Sequence, residues 1–240
     1  SVEKLNSNYQ EAGFDYPYIL SEFGIRGTWD WQTPHTDWFT KSANGGLIEP
    51  SGNEKAAVYK KIYTDCVSAC ADKGCIGSFV FLWGWQSHGD VLNWYAMYDQ
   101  FEASALPTVE AMEEMWTGEA PMNSAPVIAS REDGKIGGKI YIDGRTSDQS
   151  IALAHGSQHM ASVDATDPDG DELTYDWKII SDVRQDVGKA MSPIAGLFTG
   201  KMGAQVNFKA PSATGYYRLI VYVRDKAHGT ASCAVIPFKV

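Results

Sequence analysis

A single carboxylate early in the sequence is placed where it could do chemistry. Glu22 comes near the end of the apolar run PYILSEFG, residues 17–24, between Ser21 and Phe23. Such a run predicts a β-strand. An acid at the end of a strand is held either at the mouth of a pocket or in a salt bridge of the sheet. At the mouth of a pocket, the Glu22 carboxylate would serve acid–base or nucleophilic chemistry.

Indole side chains are concentrated in the same part of the chain. Seven of the eight tryptophans fall between Trp29 and Trp116. Sugar rings present apolar C–H faces that stack on indole, so an aromatic-rich mouth suits a carbohydrate. Core packing is the alternative, and it is the expectation for Trp94 and Trp116. The predicted substrate-binding residues are Trp29, Trp31, Trp83, Trp85, His35 and His88.

An acidic turn in the second half of the sequence offers a different chemistry. Asp167, Asp169 and Asp171 alternate in the segment DATDPDGDE, residues 164–172. Oxygen ligands of this kind suit Ca²⁺, although the glutamate that closes an EF-hand loop is missing. The alternative is a tight turn in which Gly170 supplies a positive φ and the aspartates accept backbone hydrogen bonds. Apart from this structural Ca²⁺, no cofactor is predicted.

The four cysteines give a weaker signal. Cys66, Cys70 and Cys75 crowd together, and Cys233 lies far off near the C-terminus. Their spacing lacks the paired C-x2-C knuckles of structural zinc sites. Buried free thiols are therefore the prediction, and a disulfide is the alternative in an oxidising compartment.

The charge balance of the chain limits its partners. The 240 residues carry a formal net charge of −10, with a pI near 4.9. Phosphate binding needs clustered Lys and Arg, so no nucleic-acid partner is predicted. No run reaches the roughly 18 apolar residues of a membrane span. The sequence also contains no Gly-rich phosphate loop and no G-x-S-x-G elbow.

The elements that would position Glu22 form a strand–helix–strand pattern. After the strand at residues 17–23, residues 53–74 show helical spacing with Gly74 as a stop, and Ile76 to Trp83 form a second apolar strand. The short return favours parallel pairing, and the continuous apolar runs predict strands that are covered on both faces. A further helix is predicted from about Pro107 to Trp116. Glu22 and Trp83 then lie at the carboxyl ends of parallel strands, where open α/β sheets and β/α barrels keep their chemistry.

The second half of the chain has an all-β pattern. The turn-rich segment at residues 117–127 predicts a linker, and the predicted domains are residues 1–120 and 121–240. Five to seven strands in about 115 residues are typical of a sandwich. The predicted strands are IALAHG, LTYDWKIIS, AQVNFKAP, GYYRLIVYVRD and ASCAVIPFKV.

The first half resembles the last two β/α units of a clan A retaining glycoside hydrolase. The resemblance lies in PYILSEFG, the following helix, GSFVFLWGWQ, NWYAMYD and TVEAMEEMWTG, and it covers about half of the chain. It implies that Glu22 is the catalytic nucleophile at the end of the seventh barrel strand. It also implies that Trp83 and Trp85 are the aromatics after strand eight, which form part of the sugar-binding floor.

The block VDATDPDGDELTYDWKI resembles bacterial immunoglobulin-like modules of the PKD and cadherin-like type. Such modules are appended to secreted glycan enzymes, and this resemblance covers roughly Ala125 to Val240. It implies an immunoglobulin-like β-sandwich that serves as an accessory domain. It also implies an exported bacterial protein, in the periplasm or outside the cell.

The expected fold class is thus α/β plus all-β: the last two to three units of a (β/α) barrel, then an immunoglobulin-like sandwich. A full barrel takes about 250 residues. The acid/base residue of the resembled family is expected on the fourth strand, upstream of Ser1, so the isolated chain is expected to be an inactive part of a retaining β-glycosidase. Its expected partners are a poly- or oligosaccharide and the missing part of the barrel or a second chain. The alternative is a non-catalytic carbohydrate-binding or spacer protein.

Overall fold

The computed structural model describes residues 2–25, 41–85, 93–182 and 191–240. Helices and parallel strands make up the first part of the chain, and antiparallel strands make up the second. The first part contains α1 (Val2–Glu11), β1 (Tyr18–Phe23), α2 (Gly52–Ile62), β2 (Cys75–Val80) and α3 (Pro107–Thr117).

The two strands of the first part pair in parallel, as the strand–helix–strand pattern predicted. Tyr18 lies opposite Cys75, and Phe23 lies opposite Val80. Leu20 and Phe23 of β1 are buried in one cluster with Tyr59 of α2. The helices therefore cover one face of this two-stranded sheet.

The helix between the strands is longer than α2 alone. It continues through a π-helical turn, Tyr63–Val67, and a 3₁₀ turn, Ser68–Lys73. Ser51 caps its start by accepting a hydrogen bond from the Glu54 backbone, while the Glu54 carboxylate accepts one from Ser51 N–H. Gly74 ends it with a φ of +97°, which glycine adopts without steric cost. The predicted helix and its stop at Gly74 are confirmed.

Three apolar side chains of the two-stranded sheet are exposed. Ile19 is 52% exposed, Ile76 is 67% exposed and Phe79 is 64% exposed. The described residues therefore do not confirm the prediction that both faces of these strands are covered.

The second part is rich in β-strands. The strands are β3 (Val127–Ile128), β4 (Ile140–Ile142), β5 (Gln158–Val163), β6 (Ala165–Thr166), β7 (Leu173–Ser181), β8 (Phe198–Thr199), β9 (Gln205–Lys209), β10 (Tyr216–Asp225) and β11 (Thr230–Lys239). A three-stranded sheet has the order β11-β10-β7, and a four-stranded sheet has the order β4-β5-β9-β8, both antiparallel. The short strands β3 and β6 form a separate antiparallel pair.

One apolar core joins the two larger sheets. Ile142 and Phe208 of the four-stranded sheet are buried with Trp177 and Leu219 of the three-stranded sheet. Trp177 also donates a hydrogen bond from Nε1 to the Gly203 carbonyl, at 2.9 Å. Four of the five predicted strands are confirmed, namely those that correspond to β7, β9, β10 and β11. The fifth is wrong, because residues 151–156 contain only an isolated bridge from Ala152 to Lys239.

The outer face of the three-stranded sheet packs on the first part of the chain. Ile220 and Tyr222 of β10 are buried in a cluster with Ala96 and Leu106. The alternating residues Leu219, Val221 and Val223 of β10 face the opposite way, into the core between the two larger sheets. Because β10 is covered on both faces, it has a continuous apolar sequence although it is antiparallel. The domain boundary at residue 120 stays a prediction.

Polar contacts cross the same interface. On the first-part side of this interface, the buried Lys55 Nζ lies 2.6 Å from Glu49 Oε1 and also donates to the Asn93 carbonyl. Tyr222 donates its hydroxyl proton to Asn93 Oδ1, at 2.7 Å. Glu54 accepts hydrogen bonds from Gly137 N–H and Gly138 N–H of the second part. Helix α2 is thus tied to the β-rich part at its first turn.

Two composition-based expectations concern the whole chain. All four cysteines are buried thiols outside disulfides, in agreement with the prediction. Within the part of the chain that the structure describes, each helix is too short or too polar to cross a lipid bilayer.

Candidate functional site

Glu22 lies one residue before the end of β1, at the carboxyl end of the parallel pair. Its side chain is exposed, whereas its neighbour Phe23 is buried against the helices. Among the residues that the structure describes, Glu22 has no ion-pair partner. Within the described ranges, the salt-bridge alternative for this acid is therefore not observed.

Hydrogen bonds hold the two strand ends together next to Glu22. The Phe81 N–H donates to the Phe23 carbonyl at 2.7 Å. The Tyr59 hydroxyl donates to the Phe81 carbonyl at 2.6 Å. Burial raises the pKa of Tyr59, so this hydroxyl keeps its proton. The strand that carries Glu22 is thereby fixed to the segment that leads to Trp83.

Position 24, which follows Glu22 and Phe23, requires glycine for steric reasons. A Cβ atom at Gly24 would lie 2.5 Å from the Phe81 carbonyl oxygen and 2.9 Å from the Tyr59 hydroxyl. Backbone and ring approach too closely for any other side chain. The Glu-Phe-Gly order of the sequence therefore reflects the close packing of the two strand ends.

Trp83 belongs to an aromatic cluster on the surface. Its ring meets Tyr98 edge-on, with 5.4 Å between ring centroids, and Trp116 at a tilt, with 6.1 Å. Trp83 and Trp116 are both about half exposed. The prediction that Trp116 is a core residue is therefore wrong, whereas Trp94 is fully buried as predicted.

The other predicted substrate-binding residues do not join this cluster in the described structure. Trp85 is partly buried against the interface cluster that contains Ile220 and Tyr222. This position makes Trp85 a packing residue of the interface. Trp29, Trp31, His35 and His88 lie outside the described residues.

The acidic turn is held by its own backbone. Asp167 Oδ1 accepts hydrogen bonds from Asp169 N–H at 2.9 Å and from Asp171 N–H at 3.1 Å. Gly170 has a φ of +87°, and Asp169 Oδ2 accepts from Ser124 N–H at 2.7 Å. These are the contacts of a capped turn. Calcium binding by Asp167, Asp169 and Asp171 stays a prediction.

Asp167→Ala separates the two explanations of this turn. The variant loses an acceptor that serves two backbone N–H groups, so we expect a loss of about 1–2 kcal/mol in the free energy of unfolding. Urea unfolding with calcium and with a chelator measures it. Capping predicts the same loss in both buffers. A loss that is clearly larger in calcium would assign a structural ion to the turn.

Asp171 of this turn also belongs to a cluster of two carboxylates and one imidazole. Ligand atoms of Asp171, Asp225 and His228 all lie within 4.8 Å of one another. The buried Asp225 already accepts hydrogen bonds from Asn123 Nδ2 at 3.1 Å and from Ala227 N–H at 2.9 Å. The sequence analysis missed this group because Asp225 and His228 are far from Asp171 along the chain. The spacing of Asp225 and His228 in RDKAHG was the available signal.

Glu110 on α3 has the most perturbed acidic side chain near the interface. Burial raises its pKa from 4.5 to about 7, opposed by the N–H of Ala125 and by Lys60 and assisted by Glu113 and Asp169. Its Oε1 atom is enclosed without a hydrogen-bond partner. The folded protein therefore favours the protonated form of this carboxyl group.

Glu110 makes the stability of the protein depend on pH. Because its folded pKa is raised, its favourable contribution is complete below about pH 4.5 and is lost as the pH rises through about 7. We expect a loss of about 2 kcal/mol between pH 5 and pH 8, allowing for partial solvent screening. Chemical unfolding at both pH values measures this loss in the wild type and in Glu110→Gln. Equal pH dependence of the two proteins would contradict the assignment.

Three side chains of the β-rich part are hydrogen-bonded in the order Ser–His–Asp, as in the catalytic triad of a serine hydrolase. Ser157 Oγ lies 2.5 Å from His159 Nε2, and His159 Nδ1 lies 2.7 Å from Asp143 Oδ2. However, the Ser157 hydroxyl also donates to the Ala154 carbonyl at 2.6 Å. The N–H groups of Gly156 and Ser157 both donate within the fold and cannot stabilise an oxyanion. This chain of contacts therefore fixes the turn before β5.

Comparison with known proteins assigns no family to this chain. Neither a protein-family model nor a curated protein sequence matches it. The class of protein is therefore inferred from the parallel strand–helix–strand unit and from the side chains at its carboxyl end.

Proposed function

We propose that the first part of this chain is the C-terminal part of a (β/α) barrel of a retaining β-glycosidase. Glu22 would be its nucleophile, and the substrate a poly- or oligosaccharide. The β-rich part would be an immunoglobulin-like accessory sandwich. The observation that carries the proposal is the exposed Glu22 carboxylate, without an ion-pair partner among the described residues, at the carboxyl end of a parallel strand.

Exposed apolar side chains on the two-stranded sheet support an incomplete barrel. Parallel sheets are covered on both faces in known folds, and here Ile19, Ile76 and Phe79 remain exposed. Among the described residues, β1 and β2 pair only with each other. Further parallel strands, from the missing part of the barrel or from a second chain, would cover these side chains and pair with the strand edges.

The chemistry of retaining hydrolysis explains why the isolated chain would be inactive. One carboxylate attacks the anomeric carbon, and a second carboxyl group about 5 Å away protonates the leaving oxygen and then activates water. The resemblance implies that this second carboxyl group lies on an earlier barrel strand. Glu22 would therefore supply the nucleophile, and the remaining strands would supply the acid/base residue.

The exposed aromatic cluster favours a carbohydrate partner. Trp83 and Trp116 each present about half of their surface to solvent. Indole faces of this kind stack on the C–H faces of pyranose rings. The same cluster supports the second candidate function, a non-catalytic carbohydrate-binding or spacer protein. Location in the periplasm or outside the cell is also proposed, on the resemblance of the second part alone.

Hydrolysis by the complete polypeptide tests the proposal. The complete polypeptide is the present chain together with the missing barrel strands. We expect it to hydrolyse aryl β-glycosides, and proton NMR should detect the β-anomer as the first product. The isolated chain should give no turnover.

Glu22→Gln in the complete polypeptide is the matched control for this assay. Inverted product, or full activity of Glu22→Gln, would overturn the proposal. Sugar binding without hydrolysis by the complete polypeptide would leave the non-catalytic alternative. Turnover by the isolated chain that Glu22→Gln abolishes would contradict the incomplete site.

A further inference from the structure

We propose a second carbohydrate-binding site, a pocket between the loop at residues 44–47 and the start of β10, which takes a neutral sugar unit. The choice of a sugar as ligand rests on the proposed function. The pocket itself is defined by other residues and does not include Glu22. Nothing in the predicted catalytic chemistry requires it.

The pocket has the size and the composition of a small ligand site. It is an open pocket with a volume of about 340 Å³, lined by residues 44–47 and by Asp182, Tyr216 and Arg218. Ligand pockets commonly measure roughly 300–1,000 Å³ and combine an apolar surface with a few polar groups. This pocket offers one half-exposed aromatic ring and one buried ion pair.

The ion pair supplies a hydrogen-bond donor and an acceptor. Arg218 is almost fully buried; its Nε donates to Asp182 Oδ1 at 2.8 Å, and its Nη1 donates to the Leu47 carbonyl at 3.0 Å. No described residue forms a hydrogen bond with Arg218 Nη2 or with Asp182 Oδ2. A sugar hydroxyl is both a donor and an acceptor, so it can satisfy such a pair.

The charges around the pocket favour a neutral ligand. The positive charge of Arg218 is balanced by Asp182 at 2.8 Å. The protein as a whole carries a net charge of −10, which disfavours the approach of anions. Small cations are not favoured either, because the charge of the Asp182 carboxylate is already balanced by Arg218. A polyol matches the available groups better than a phosphate or a metal ion.

Tyr216 supplies the apolar surface that a pyranose requires. It is the first residue of β10, and its side chain is half exposed. Its carbonyl accepts a hydrogen bond from Asp182 N–H at 2.7 Å. This bond fixes the backbone of the aromatic residue next to that of the ion pair. Stacking on the ring and hydrogen bonding at the ion pair can therefore act on one sugar unit.

The opposite wall of the pocket is rigid. Asn44 donates to the Ile151 carbonyl at 2.8 Å and accepts from the Ser150 hydroxyl at 2.6 Å. A Cβ atom at Gly46 would lie 2.9 Å from Pro237 Cβ, so the loop packs directly on β11. A preformed wall lowers the entropy lost when a ligand binds.

Tyr216→Ala tests the site, because this exposed side chain can be removed without opening a core. The probes are neutral tetrasaccharides of four types: cellotetraose, laminaritetraose, mannotetraose and xylotetraose. Calorimetric titration of the present chain should detect binding of at least one of them. Tyr216→Ala should weaken that binding by about fivefold or more, from the loss of aromatic stacking. The matched control is Tyr16→Ala, which removes an exposed tyrosine elsewhere and should leave the affinity unchanged.

Three results would overturn this second site: no binding of any of the four sugars, equal affinity of the wild type and Tyr216→Ala, or binding lost only in Trp83→Ala. Loss of binding only in Trp83→Ala would show that the sugar binds at the aromatic cluster of Trp83 and not at this pocket. Near-ultraviolet circular dichroism of each variant verifies the fold. Failure of the proposed hydrolase function would leave the Tyr216 result intact, because this titration requires no turnover.

Discussion

Glu22→Ala in the complete polypeptide is expected to lower kcat for an aryl β-glycoside by about 10⁴-fold or more. Losses of this size follow the removal of a nucleophile that acts together with an acid–base partner. The exposed carboxylate at the end of β1 makes no described contact that would hold the fold together. The melting temperature should therefore stay close to that of the wild type, while the rate falls. Steady-state kinetics and thermal unfolding of the same preparation measure both quantities.

Sodium azide provides the second half of this experiment. A small anion can occupy the space of the removed carboxylate and attack the anomeric carbon from the same face. We expect azide to restore turnover of Glu22→Ala and to yield an α-glycosyl azide. Glu172→Gln, at another exposed glutamate, is the matched control and should keep full activity. A β-configured azide product, or a Glu22→Ala protein as active as the wild type, would contradict the proposed role of Glu22.

Asp99→Ala is expected to cause the largest loss of stability, about 3–5 kcal/mol in the free energy of unfolding. Asp99 Oδ2 accepts a hydrogen bond from Arg224 Nη1 at 2.8 Å, and both side chains are buried. The carboxylate also accepts from the backbone N–H groups of residues 101, 102 and 104. The variant would leave the Arg224 guanidinium in the interface without its main partner. Denaturant unfolding measures this loss.

The surface ion pair of Lys61 and Asp65 is the matched control for Asp99→Ala. These side chains lie one helical turn apart and are largely solvent-exposed. Asp65→Ala should change the free energy of unfolding by no more than about 0.5 kcal/mol. A loss in Asp99→Ala as small as that in Asp65→Ala would show that the buried pair does not hold the interface.

The pKa of Asp99 gives a pH signature for the same interface. Burial alone would raise this pKa, but the Arg224 guanidinium and the backbone N–H groups hold it below its ordinary value. Stability from this carboxylate is therefore complete above its unfolded pKa and is lost as the pH falls through the lower, folded value. The direction is opposite to that of Glu110. The two groups limit the pH range of maximal stability from opposite sides.

The interface gives the β-rich part a structural role. Arg224 of β10 also contacts Asp176 of β7, at 3.2 Å, so the pair with Asp99 is anchored in the three-stranded sheet. Helix α2, the segment around Asn93 and the loop at residues 99–104 all depend on this sheet for burial. Whatever its proposed accessory function, the β-rich part stabilises the part that carries Glu22.

Local patterns in the sequence predicted the elements that position Glu22. The helical spacing after residue 52 and the stop at Gly74 are encoded by neighbouring residues, and so is the apolar strand Leu173–Ser181. By contrast, α1 was missed because VEKLNSNYQE is predominantly polar. Residues 151–156 have the composition of a strand, yet they bridge β11 at a single residue. Composition alone could not distinguish that edge contact from a paired strand.

The contacts that join distant segments could not be predicted from the sequence. Asp99 and Arg224 are 125 residues apart, and the local sequence around each residue does not indicate the other as its partner. The same holds for Asp182 and Arg218, whose pairing depends on the register of β7 and β10. Trp116 was placed in the core because it lies in a predicted helix, but it stands in the last turn of α3 and is half exposed. Its exposure depends on tertiary packing.

Covalent trapping of the complete polypeptide is the most direct test of the role of Glu22. Dinitrophenyl 2-deoxy-2-fluoro-β-glycosides of glucose and mannose carry a leaving group that departs without acid assistance, so only the nucleophile is required. We predict that one fluorosugar unit adds to the protein and that peptide mapping locates it on Glu22. A label on another carboxylate, equal labelling of Glu22→Gln, or no label from either sugar would contradict the proposal that Glu22 is the nucleophile of a retaining β-glycosidase.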